Sequence, residues 1–290
     1  MASMRDIKRR KNSIQSTQQI TRAMKLVATV KLQKARQRAE ETAPYFDLMY
    51  STVVSLLSKT GAIDHPYIRP KEGGKTLVIT ISSNRGLAGG YNSSIAKLVM
   101  NSGLKKENVL IYAIGGKAAE TLAARGYTIY KDASDKIESP QYTDAMQVCK
   151  EVLSAFSAGE ISEIYLAYTN FINTVVHVPT LLKLLPIEVA EEEHEEAFEK
   201  SKDFLTLMNF EPNEEEAVTQ IIPKYLTSLI YGAFMEALAS ENCARMQAMD
   251  SATSNAEELI DDLTLKYNRA RQGSITQELT EIIAGAEAIS

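Results

Sequence analysis

Thr17-Gln18-Gln19-Ile20-Thr21-Arg22-Ala23-Met24-Lys25-Leu26-Val27-Ala28 lies in a 43-residue N-terminal run with no glycine and no proline. Lys, Arg, Gln, Ala, Met and Leu dominate the run, and all are good helix formers. Stepping by sevens from Ile7 gives Ile14, Thr21, Ala28, Ala35, Thr42, Met49 and Leu56. Stepping from Met4 gives Lys11, Gln18, Lys25, Leu32, Ala39, Phe46 and Val53. One seam is apolar or small and the other is mixed. That imperfect heptad predicts a long helix with one partner helix rather than a strong zipper. Pro44 is expected to kink or interrupt it. The pattern resumes and ends near Lys59, with Gly61 as stop signal.

The partner lies at the other end of the chain. From Pro223, which suits a first helical turn, to residue 290 the only glycines are Gly232, Gly273 and Gly285, and the middle is dense in Ala and Ser. Small residues let two helix backbones approach closely. If Pro44 lies opposite Pro223, residue 1 falls near residue 266. The last two dozen residues then overhang by roughly 35 Å at about 1.5 Å per residue. That tip, ending Ile282-Ile283-Ala284-Gly285-Ala286, is apolar and is expected to sit inside another protein.

Between the helical ends the chain changes character. Leu77-Val78-Ile79-Thr80-Ile81, Val109-Leu110-Ile111-Tyr112-Ala113-Ile114 and Ile164-Tyr165-Leu166-Ala167-Tyr168 are short, apolar and β-rich. Helical patterns separate them at 92–102, 117–125 and 142–157, and a late strand runs through 175–189, interrupted by Pro179. Strands alternating with helices imply βαβ units and a mainly parallel sheet. The fold class is α/β plus coiled coil: long antiparallel N- and C-terminal helices with an inserted Rossmann-like α/β domain. The segments are a helix at 1–60, the α/β domain at 75–190, an acidic linker at 191–222 and a second helix at 223–290.

Composition agrees. Aromatics are 7% of the 290 residues, with no Trp, and they avoid both ends: none precedes Tyr45, and Tyr267 alone follows Phe234. Eleven of the fourteen glycines fall between Gly61 and Gly159. No stretch approaches 18 apolar residues, so no membrane span is expected, and the basic N-terminus lacks the apolar core of a secretory signal. Cys149 and Cys243 lack ligand or redox spacing, which points to a reducing compartment. The net charge of −5 conceals segregation. Eleven basic residues face one acid, Asp6, in the first 38 positions, whereas 191–216 is strongly acidic.

Ser82-Ser83-Asn84-Arg85-Gly86-Leu87-Ala88-Gly89-Gly90-Tyr91-Asn92 follows the first strand, where α/β proteins often bind phosphate. Its glycine spacing fits neither dinucleotide nor P-loop motifs, so a turn or contact loop is the main reading and a phosphate site the alternative. His65, His177 and His194 have no ligand spacing, and neither metal nor cofactor is expected. The basic first helix lacks the interleaved aromatics of a nucleic-acid surface. Its other face is small rather than strongly apolar, which weakens membrane binding. An acidic protein partner fits better.

Gly273-Ser274-Ile275-Thr276-Gln277-Glu278-Leu279-Thr280-Glu281-Ile282-Ile283-Ala284-Gly285-Ala286 resembles the C-terminal signature of the γ subunits of F-type ATP synthases. So do Ile7-Lys8-Arg9-Arg10 with Thr17 to Ala28, Ala244-Arg245-Met246-Gln247-Ala248-Met249 and Tyr267-Asn268-Arg269-Ala270-Arg271-Gln272. The 82–92 loop matches the family's Ser-Asp-Arg-Gly pattern, with Asn84 where Asp is common. The cysteine-bearing insertion of chloroplast members is absent, which suggests a bacterial type. The resemblance implies a non-catalytic central-stalk rotor, one copy per complex, inside an α3β3 hexamer. Its foot would touch the ε subunit and the membrane c-ring at the cytoplasmic face of the cell membrane. Proton-driven rotation would then set the catalytic β subunits in different conformations. By the same resemblance, Met24, Arg245, Arg271, Gln272, Thr276 and Glu278 contact β subunits, with Met24 and Arg245 near each other across the coil. Ile282, Ile283 and Ala286 form the apolar bearing tip, and Asn84, Arg85, Gly86, Gly89 and Gly90 form the foot-domain loop. The basic residues of the first helix would meet acidic levers of the β subunits.

Overall fold

Six of the seven residues of β1 (Lys75–Ile81) and all six of β2 (Val109–Ile114) are buried. Strands apolar on both faces need cover on both, and helices supply it. The computed structural model describes residues 4–59, 65–68, 73–187 and 214–289. It contains α1 (Met4–Lys59), α2 (Tyr91–Met100), α3 (Gly116–Ala124), β3 (Thr128–Asp132), α4 (Tyr142–Ser157), β4 (Ile161–Phe171), β5 (His177–Leu185) and α5 (Glu214–Ile289). Gly61 and the acidic residues 191–213 lie outside the described residues.

The chain divides into two compact units, Met1–Thr29 with Arg245–Ser290 and Val30–Ala244. In the larger, the sheet order is β3-β2-β1-β4-β5. Pairing is parallel from β3 to β4, and β5 returns antiparallel along β4. Leu77, Ile79, Ile81, Tyr112, Ile114, Ile164 and Leu166 point to one side, where Val148, Val152 and Phe156 of α4 and Val218, Ile222, Leu226, Ile230 and Phe234 of α5 cover them. Val78, Ile111, Ala113 and Ala167 point to the other, beneath Ala96 and Val99 of α2 and Leu122 of α3. This is the expected Rossmann-like core with alternating layers.

Four boundaries differ from the sequence reading. α5 begins at Glu214, so Pro223 lies inside the helix. Residues 214–222, assigned to the linker, are helical because Val218 and Ile222 fill the core, which offsets the hydrogen bond that proline removes. α1 likewise continues through Pro44 to Lys59 without interruption. Pro179 is contained within β5, an edge strand that tolerates a missing donor. The fourth strand of the parallel set, β3, was not expected. It is a five-residue edge strand with one face exposed and so lacks a continuous apolar run.

Candidate functional site

The smaller unit is an antiparallel helix pair. Lys25 Nζ meets Asp250 Oδ1 at 2.6 Å, and Arg22 and Gln18 both donate to Glu257 Oε1, at 3.2 and 3.1 Å. Between them Thr21 Oγ1 and Thr253 Oγ1 lie 2.8 Å apart, buried. Thr253 Oγ1 also lies 2.7 Å from the Met249 carbonyl and Thr21 Oγ1 3.0 Å from the Gln18 carbonyl, so two hydroxyl protons serve three contacts and either threonine can donate across the seam. Paired positions sum to about 275, not the 267 implied by opposing the two prolines. Met4, the first described residue of α1, is then level with Arg271, and the described part of α5 beyond that level, 272–289, runs on for roughly 27 Å. From Arg271 to Ala286 every residue except Ser274 is exposed.

The inner seam is narrow: Thr21, Ala28, Met249, Thr253, Ala256 and Leu263 are buried in it. Three large apolar residues of α1 lie outside it. Ile20, Leu26 and Val27 are 59%, 64% and 58% exposed. This inverts the usual amphipathic arrangement, in which the apolar stripe faces the neighbouring helix. The heptad count follows the inward seam and so passes over the outward one.

Met24 is half-buried at the edge of this face, level with Ser251. Arg245, also half-buried, is six positions away from that level, about 9 Å along the axis. Arg271, Gln272, Thr276 and Glu278 are all exposed. Thr276 Oγ1 donates to the Gln272 carbonyl at 3.0 Å, and Ser274 Oγ donates to Glu278 Oε1 at 3.4 Å. Ile282 and Ile283 are 67% and 60% exposed, and Ala286 is exposed. Ile275 and Leu279, one and two turns earlier, extend the same stripe. The spacing of Ile275 and Leu279 to Ile282, seven and three, was the signal that could have added them.

In the larger unit the 82–92 loop turns its polar groups on itself. Asn92 Oδ1 accepts from the Ser83 N–H and hydroxyl, at 2.9 and 3.0 Å. Asn84 Oδ1 accepts from the Gly116 N–H at 2.9 Å, and Asn84 Nδ2 donates to the Ser134 carbonyl at 2.7 Å. An aspartate could accept the first bond but could not donate the second, which gives the amide at position 84 a structural reason. The next two amides of α3 donate to the Ser83 carbonyl and to Ser82 Oγ. The start of α3 is thus capped from within the chain. Arg85 reaches Glu138 at 3.5 Å on the surface. Gly89 has φ of 54° and Leu87, 62% exposed, φ of 64°. A Cβ on Gly86 would meet open space, and one on Gly90 would meet hydroxyls only at 4.0 Å.

His65 Nδ1 accepts from the Tyr67 N–H at 3.2 Å, and its Nε2 lies 3.0 Å from Thr219 Oγ1. Burial lowers its pKa. Burial pushes the Cys149 thiol up to about 11 and raises that of Cys243, so neither is poised as a thiolate. Burial pushes Glu236 up to about 7, against a Phe171 N–H that lowers it. Among the described residues no group of three or more His, Cys, Asp or Glu could hold a metal, and no helix is long and apolar enough to cross a membrane.

Comparison with known proteins bears on these surfaces. A family model described as ATP synthase matches residues 3–289. The ATP synthase gamma chain of Lachnoclostridium phytofermentans is 63% identical over 293 residues, covering all of both chains. The sodium-ion-specific ATP synthase gamma chain of Acetobacterium woodii is 40% identical, covering 99% of each. Among solved structures, a chain of the Euglena gracilis mitochondrial ATP synthase (OSCP, F1 and c-ring) aligns with a TM-score of 0.70 over 99% of this chain and 94% of that one. Its 18% identity carries the fold alone.

Proposed function

The chain belongs to the ATP synthase γ family, whose members form the central-stalk rotor, and on that premise we propose how its own residues do the work. The helix pair of the smaller unit is the shaft within an α3β3 hexamer. The observation that carries this reading is the inverted packing. On α1 the small Thr21 and Ala28 face inward, and Ile20, Leu26 and Val27 face outward. Such a face gains by burial: about 1–2 kcal/mol for each side chain moved from 60% exposure into an apolar contact. The basic residues around it, Arg22, Lys25 and Lys31 among them, suit the acidic levers of catalytic β subunits.

The mechanism needs no bond chemistry in this chain. Two unlike helices present unlike faces to three identical β subunits, so each β subunit meets a different surface at a given angle. A β subunit has discrete open and closed arrangements, and whichever fits the face it meets is favoured. Turning the shaft passes the three states round the ring. Met24, Arg245, Arg271, Gln272, Thr276 and Glu278 make the polar and edge contacts, and Ile275, Leu279, Ile282, Ile283 and Ala286 form the stripe that turns in an apolar sleeve. The Rossmann-like domain, with the 84–90 loop on its surface, is the foot that meets the ε subunit and the c-ring at the cytoplasmic face of the membrane. The shaft reading is the same whether protons or sodium ions turn the ring.

Co-expression of the chain with α and β subunits tests this. The isolated chain is expected to show no ATPase activity and to co-purify with them one copy per hexamer. Leu26→Ser with Val27→Ser should weaken assembly about 100-fold, the loss expected from roughly 3 kcal/mol of docking. Failure of the wild-type chain to co-purify would sink the reading.

A further inference from the structure

The buried seam of the smaller unit mixes small residues, Ala28 and Ala256, with two larger ones, Met249 and Leu263. Apolar contacts of this kind are non-directional. The outward ion pairs are exposed, with relative side-chain exposures of 62% and 60% for Arg22 and Glu257 and 38% and 57% for Lys25 and Asp250. Pairs of that kind are weak and adaptable. One contact across the seam is both buried and directional: Thr21 Oγ1 to Thr253 Oγ1, 2.8 Å, with Thr253 anchored to the Met249 carbonyl and Thr21 within 3.0 Å of the Gln18 carbonyl. A heptad slip in either direction would set Thr21 against Ile260 or Met246, replacing a hydroxyl partner by a bulky apolar side chain.

We propose that the Thr21–Thr253 hydroxyl pair is the register lock of the shaft, a positioning pair that fixes the height of one helix against the other. A single buried polar pair that sets register is a known use of polarity in coiled coils. The inference rests on the rotor reading and deepens it. Twisting a two-helix coil about its axis changes its supercoil and shears the helices past one another. A directional bond at one level resists that shear, and it stands near the level of Met24. It therefore holds the α1 face at a constant distance from the Arg271–Glu278 segment of α5. From the level of Met24 to Thr276 that distance is 25 residues, about 37 Å. Lys25–Asp250 and the Gln18 and Arg22 bonds to Glu257 flank the lock on either side and align the helices around it.

The test uses the full chain assembled with α and β subunits, carrying spin labels at Ser13→Cys and Asp261→Cys, both exposed. The distance between labels reads register directly, and ions pumped per ATP hydrolysed in proteoliposomes reads torque transfer. With the native threonines, and with Thr21→Ser plus Thr253→Ser, one narrow distance and full coupling are expected. With Thr21→Val plus Thr253→Val, isosteric but without hydroxyls, the distance should broaden or split and ions pumped per ATP should fall at least threefold while ATP hydrolysis persists. Thr253→Val alone gives the same readout if the double variant does not accumulate. A single unchanged distance and unchanged coupling in the valine variants overturns the lock. Failure of the native chain to assemble would instead overturn the rotor reading.

Discussion

Gly115→Ala should be the most damaging single-methyl change in the sheet domain. Gly115 precedes α3 with φ of 101°, in the left-handed half of the map that side chains avoid. A Cβ there would stand 2.0 Å from the Ser82 carbonyl oxygen and 2.4 Å from its carbon, both backbone atoms that cannot swing aside. The strands must separate by about 1 Å to admit it. Ser82 Oγ donates to the Gly115 carbonyl at 2.9 Å and accepts from the Ala118 N–H at 3.1 Å, and both bonds are buried. Strain at positive φ costs about 1–3 kcal/mol, and two buried hydrogen bonds add about 1 kcal/mol each. The sum, about 3–5 kcal/mol, is a large share of an ordinary domain's stability. Hydrogen exchange of the β1 and β2 amides in the full chain is the assay, because helix signals dominate circular dichroism. Protection of Val78, Ile79 and Ile111 should fall by roughly two to four decades. Gly86→Ala, where a Cβ meets open space, is the control and should stay within about 0.5 kcal/mol of wild type. Equal protection in the two variants would refute the steric argument.

Glu236 has one carboxylate oxygen buried without a partner among the described residues, and its folded pKa of about 7 exceeds its unfolded value. Its ionisation therefore costs nothing below about pH 4 and costs most above pH 7; Glu236→Gln should raise the melting temperature at pH 8 and leave it unchanged at pH 4.5. Phe156, fully buried with its ring centroid 6.2 Å from that of Tyr67 and tilted against it, should cost about 3–5 kcal/mol as Phe156→Ala, measured by urea unfolding. Asp250→Ala removes an exposed ion pair and should change stability by less than about 1 kcal/mol, which a melting curve in low and high salt would check. Deleting residues 280–290 should impair torque or assembly while the exchange protection of β1 and β2 stays intact; loss of that protection would contradict the two-unit organisation.

Where the sequence reading succeeded, the signal was local. The core runs at 77–81, 109–114 and 164–168 are continuous because those strands are covered on both faces, and a doubly buried strand reads as an apolar word. β3 escaped because an edge strand with one wet face has no such word. Asn84 was conspicuous only as a departure from a pattern. Its reason, one amide bridging Gly116 and Ser134, joins residues 32 and 50 positions away.

The sequence by itself determined that two glycine-poor, aromatic-poor ends would be helices and that a parallel sheet would lie between them. Helical and strand periodicities are properties of neighbours along the chain. Only tertiary structure decided the height at which the two helices meet, where α5 starts and which side of α1 faces out. The start of α5 follows from Val218 and Ile222 packing on the sheet core. The height and facing follow from pairing across more than 200 residues: Thr21 with Thr253 inside and Glu257 alongside. Where α1 meets the seam it contributes Thr21 and Ala28, and Ile20, Leu26 and Val27 of the same helix are left outward.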